Sequence, residues 1–116
     1  MTESLDALPS KLADMTPDQR LYFFEVLAHN LTVTARTVWA DDDLTIQEQV
    51  CSLKTLNECL HRAIARISVE RLKTREWSDE SFCGLLRETD NELHPTLRGS
   101  VLWAAWHSYS TAIKAA

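Results

Sequence analysis

Residues 16–40 read TPDQRLYFFEVLAHNLTVTARTVWA, and the fold follows from them. Thr16, Pro17 and Gln19 form a helix start signal: a capping hydroxyl, proline at the first helical position, and an amide three residues after the cap. From there to about Ala40, apolar side chains recur at helical spacing on two sides. The main face is Phe24, Leu27, Ala28, Leu31, Ala35 and Val38. A second strip runs through Tyr22, Val26 and Val33. A helix apolar on two sides is either central in its domain or shared with a second subunit. Thr32-Val33-Thr34 has weak helix propensity and makes a local strand the competing reading, but the longer period favours helix. One narrow polar stripe interrupts the apolar surface. Glu25, His29, Thr32 and Arg36 follow one another at steps of four, three and four and so share a face.

The chain downstream supplies partners for this helix. Asp41 to Asp43 read as an acidic loop, and Thr45 with Glu48 repeats the capping pattern. A second helix is expected from 46 to about 73, with Ile46, Val50, Leu53, Leu56, Leu60, Ala63, Ile64 and Ile67 as its apolar set. Ser78 caps a third helix at about 79–90, with Phe82, Leu85 and Leu86 as core candidates. His94-Pro95 opens a fourth at about 95–114. One of its faces carries Leu102, Trp106, Tyr109 and Ile113. Another carries Val101, Ala104, Ser108 and Ala112, small enough for close helix approach.

The expected fold is therefore all-α. It is a four-helix bundle-like single domain over 1–116, built on a long antiparallel hairpin (about 17–40 and 46–73) with two shorter helices across it. Residues 1–15 read as a loose leader with a short helix. The 116 residues can bury a core without staples, and two glycines and three prolines leave little turn chemistry for a sheet. Two short helices should leave part of the hairpin's apolar surface uncovered, which a homodimer would bury.

Composition narrows the function classes. The net charge of −5 argues against a dedicated nucleic-acid binder. It is uneven: residues 1–50 carry three basic and nine acidic side chains, and residues 51–75 carry six basic and two acidic. Cys51, Cys59 and Cys83 are odd in number and lack CxxC spacing, which suits a reducing, cytoplasmic setting. No apolar run reaches the roughly 20 residues of a membrane span. Asn30-Leu31-Thr32 matches a glycosylation sequon but falls inside the first helix.

Three groups of residues could carry function. A hairpin turning near residue 43 sets Glu25 level with His61, and His29 level with Asn57 and Glu58. Glu25, His29, Glu58 and His61 thus form a candidate metal set of carboxylates and imidazoles on adjacent helices. The competing reading is a polar layer that fixes the hairpin register, with Asn57 part of it. The basic run Arg62, Arg66, Arg71, Lys73 and Arg75 could meet phosphate or an acidic partner, with Arg62 and Arg66 on one exposed face. Four tryptophans (39, 77, 103 and 106) are many for this length. The candidate partner-binding residues are Tyr22, Val26, Val33, Arg62, Arg66, Trp77 and Trp103. No nucleophile–base arrangement and no phosphate loop is present, and no cofactor is expected. The primary expectation is a non-enzymatic protein acting through protein–protein contact, as a regulator, inhibitor or immunity-type factor, in a homodimer or heteromer. Metal binding and nucleic-acid contact are the alternatives.

Overall fold

The computed structural model describes residues 4–72 and 78–115, without the side chains of Arg71 and Leu72. It is all helical over these residues. The helices are α1 (Leu8–Ala13), α2 (Pro17–Trp39), α3 (Ile46–Leu72), α4 (Asp79–Glu92) and α5 (Ser100–Lys114), with 3-10 turns at Leu5–Ala7 and Pro95–Leu97. α2 and α3 form the expected hairpin. α5 packs on the other flank of α2, and α4 closes the ring between α3 and α5.

The start signals work as their chemistry demands. Thr16 Oγ1 accepts from the Gln19 N–H at 3.2 Å, and Gln19 Oε1 accepts from the Thr16 N–H at 2.9 Å. Thr45 and Glu48 do the same at 3.1 and 2.9 Å. Ser78 Oγ accepts from the Ser81 N–H at 3.1 Å. The threonines of α2 stay helical because their hydroxyls donate to carbonyls one turn back: Thr32 to Ala28, Thr34 to Asn30 and Thr37 to Val33. No glycine ends α2. Instead the Gln49 amide reaches back from α3 and donates to the carbonyls of Val38, Trp39 and Asp41, satisfying groups that a helix end leaves open.

Two expectations change, and a third is met. The leader's short helix is present as α1, but it is held rather than loose: Leu5, Leu8, Leu12 and Met15 are buried. The last helix does not begin at Pro95. Gly99 adopts a left-handed φ of 96° and separates the Pro95–Leu97 turn from α5. Asp90 then caps α5 from the end of α4, its carboxylate accepting from the N–H groups of Gly99 (2.9 Å) and Val101 (3.0 Å). Asp90→Ala is expected to cost about 1–2 kcal/mol in urea unfolding, and Asp90→Asn, which keeps an acceptor, distinctly less. The face of α5 read as small enough for close helix approach is the one that meets the core. Val101, Ala104, Ala105, Ser108 and Ala112 are buried, while Leu102, Trp106 and Tyr109 are half-buried and Ile113 is exposed. Close approach wins over side-chain size because Asn30 of α2 inserts there and donates to Ser108 Oγ at 2.9 Å.

Phe23, Phe24 and Phe82 centre the core, packed edge to face at centroid distances of 5.0 and 5.2 Å. Cys59 and Cys83 lie among them. Burial pushes their thiols up, to about 11 and about 12, so both stay protonated and unreactive at neutral pH. Cys51 is exposed, and all three are free thiols.

Candidate functional site

α3 is apolar on two faces, and the more apolar of them is only partly covered. Its buried positions are Ser52, Leu56, Cys59, Ala63 and Arg66, a mixed set. Its outer stripe is Ile46, Val50, Leu53, Asn57, Leu60, Ile64 and Ile67. Steps of four and three alternate along this stripe, which keeps it on one side of the helix. Leu53, Leu60 and Ile67 lean on the edge of the core. Ile46, Val50, Asn57 and Ile64 open to solvent, with Ile46 75%, Val50 52% and Ile64 49% exposed. At about 1.5 Å per residue, the 27 residues of α3 span about 40 Å. The stripe itself, from Ile46 to Ile67, takes up about 32 Å of that length.

Between this stripe and α2 lies an open groove. Leu31 and Ala35 form its α2 wall. Val50, Leu53, Lys54, Leu56, Asn57 and Leu60 form the α3 wall. The lining is aliphatic apart from one amide and one lysine, and it holds no nucleophile, acid or base. Its shape and chemistry suit an apolar helix ridge.

The expected metal set does not assemble. Among the described residues, no group of three or more His, Cys, Asp or Glu side chains is placed to hold a metal ion. His29 is exposed and Glu25 is half-buried on α2. Glu58 and His61 instead share a depression with Asn57, Arg62 and Leu85, on the α4 flank of α3. Level heights on adjacent helices are therefore not enough to bring the four together. Asn57 is likewise exposed, not a buried layer.

The basic run also changes character. Arg62 is exposed, but Arg66 is only 1% exposed. Arg71 lies in α3, while its side chain and residues Lys73, Arg75 and Trp77 fall outside the described residues. Arg66 belongs to a buried group of four charges that sequence reasoning missed. Arg20 Nη2 meets Glu70 Oε1 at 2.8 Å and Asp79 Oδ1 at 2.9 Å. Arg66 Nη2 meets the same two oxygens at 3.0 and 2.8 Å. Arg20 Nη1 also donates to Asp79 Oδ2 (3.0 Å) and to the Leu12 carbonyl (2.8 Å). The Arg66 guanidinium lies 4.6 Å from the centroid of the Phe24 ring. Burial works against the charge on Arg20, Glu70 and Asp79. For Glu70 and Asp79 the guanidinium hydrogen bonds and charges outweigh it and hold both carboxyls below the usual range. The same contacts raise Arg20 above its ordinary value. Both carboxylates are thereby held in their charged form. The quartet is a clasp joining α1, α2, α3 and α4. Its one sequence signal was Arg20, a charge on the Phe24–Leu27–Leu31 side of α2 that has to be paired there.

The remaining candidates lie on the α2–α5 side. Tyr22 is 40% and Val33 41% exposed, with Val26 half-buried between them. Trp103 is exposed and stacks on His107 at 4.7 Å. It shares a shallow depression with Val33, Thr37 and Leu97. The strip on α2 is thus half covered by α5, while Ile46, Val50 and Ile64 form a separate exposed aliphatic row on α3.

No protein-family model, curated protein or solved structure matches this chain. No helix among the described residues is long and apolar enough to cross a membrane.

Proposed function

We propose that this protein acts without catalysis, as a small helical binding module whose α2–α3 groove receives a helix from a protein partner. The observation that carries this reading is the second apolar stripe of α3. The face turned to the core includes a serine, a cysteine and an arginine, while Ile46, Val50 and Ile64 of the adjoining stripe open to solvent and Leu53, Leu60 and Ile67 only lean on the core's edge. Folding alone gives no reason to spend the better apolar stripe on water, and exposed apolar surface of this extent marks an interaction site. A role as regulator, inhibitor or immunity-type factor in the cytoplasm follows from the same features. Three unpaired cysteines and an acidic surface support that setting.

The test is affinity purification from the native cell with the wild-type chain, Val50→Glu and Trp103→Glu. Protein captured by wild type and by Trp103→Glu, and lost with Val50→Glu, is the expected result. Capture that survives Val50→Glu and disappears with Trp103→Glu would move the site to the α2–α5 side. No capture by any of the three, together with no self-association, would sink the reading.

A further inference from the structure

Resting on the reading of the groove as a protein-binding surface, we propose that its occupant is a second copy of this chain. α3 packs antiparallel against α3 of the partner about a two-fold axis at Asn57.

The first reason is the amide. Asn57 interrupts an otherwise aliphatic stripe, and three stripe positions lie on each side of it. A wholly apolar partner helix would bury that amide without a hydrogen bond, which is costly. An amide carries both donors and an acceptor, so Asn57 is satisfied by its own counterpart. Only a symmetric partner guarantees one at the same height. A single Asn in such a seam fixes register and partner choice.

The second reason is that the stripe nearly reads the same in reverse. Turning α3 end over end about Asn57 sets Val50 against Ile64 and brings Leu53 next to Leu60. A two-fold interface uses the same patch on both copies and requires this self-complementarity.

The third reason is charge. Lys54 and Glu58 are four residues apart and both exposed beside the stripe. The reversal brings Lys54 of each copy to within about 3 Å, measured along the axis, of Glu58 of the partner. Each interface then holds two attractive pairs related by the two-fold. The α2 wall admits the partner because Ala35 leaves room beside Leu31.

Sedimentation and light scattering on the full chain test this across a wide concentration range. The expected mass is twice 13.2 kDa. Ile64→Glu should weaken the dimer by on the order of 100-fold, with helical circular dichroism unchanged because the side chain is half exposed. Lys54→Glu and Glu58→Lys should each weaken it by on the order of 10-fold, and the double swap should restore it. Both residues are exposed, so the swap stays informative even where Ile64→Glu does not fold. A wild-type monomer at every concentration overturns the proposal, as does a dimer indifferent to Ile64→Glu. A swap that fails to restore the dimer overturns the antiparallel arrangement. A monomer whose Val50-dependent capture of another protein persists overturns only the second copy and leaves the binding module standing.

Discussion

Replacing Arg20 with methionine is expected to lower the free energy of unfolding by about 3–5 kcal/mol in urea titration followed by circular dichroism. Methionine matches the aliphatic stem but removes every N–H that Arg20 gives to Glu70, Asp79 and the Leu12 carbonyl. Glu70 and Asp79 would then share only Arg66, and one buried negative charge would be left uncompensated. The clasp as a whole need not outweigh an apolar replacement of all four residues. The cost comes from breaking it on one side. The same variant changes the acid response. Glu70 and Asp79 both have folded pKa values below their ordinary ones. Their contribution is therefore fully present above the ordinary carboxylate range, about 4, and is lost as pH falls through the lower folded values. Wild type should lose stability steeply below about pH 4, and Arg20→Met should lose less over the same window. A cost under about 1 kcal/mol, or an unchanged acid slope, would show that the carboxylates find other partners.

Phe24→Ala is expected to cost about 3–5 kcal/mol, the range for truncating a buried aromatic. Phe24 is wholly buried and touches Phe23 and Phe82 edge to face. It also carries the Arg66 guanidinium on its face. Alanine would open a cavity beside a buried cation and remove the ring that faces it. Phe24→Leu retains much of the volume and separates the two effects: about 1–2 kcal/mol is expected from the lost aromatic contacts. If leucine and alanine cost the same, volume is not what Phe24 supplies, and the account given for Arg66 takes over. Thermal unfolding of the three proteins side by side decides between them.

Much of the architecture was written locally. The Thr16–Gln19 and Thr45–Glu48 boxes marked where α2 and α3 begin, because a cap depends only on residues three apart. The small face of α5 was legible for a similar reason: Ala104, Ser108 and Ala112 recur at four-residue steps. What could not be read was the choice between two apolar faces. On α3 the apolar set combined the buried Leu56 and Ala63 and the core-edge Leu53, Leu60 and Ile67 with Ile46, Val50 and Ile64, which open to solvent, so periodicity alone left the side of the helix undecided. Arg66 was assigned to solvent with Arg62 for the same reason. Its burial depends on Arg20, Glu70 and Asp79 arriving from other segments, and no local spacing encodes that meeting. The candidate metal group failed on the same long-range geometry. Height along the hairpin was predictable from its loop, whereas the rotation of each helix about its own axis was not. Asp90 and Gln49, which cap neighbouring helices through space, carry no local signal of that role.

The clasp has an electrical consequence for the molecule as a whole. Two arginines and two carboxylates cancel, so the entire formal charge of −5 is carried outside it. Two approaching copies thus repel over a Debye length, about 10 Å at 0.1 M salt. Added electrolyte softens that repulsion at long range while leaving the aliphatic seam untouched. In the proposed dimer the same salt also screens the Lys54–Glu58 contacts, so its net effect is a balance of the two, unlike the steady weakening expected of a protein drawn to nucleic acid by basic residues.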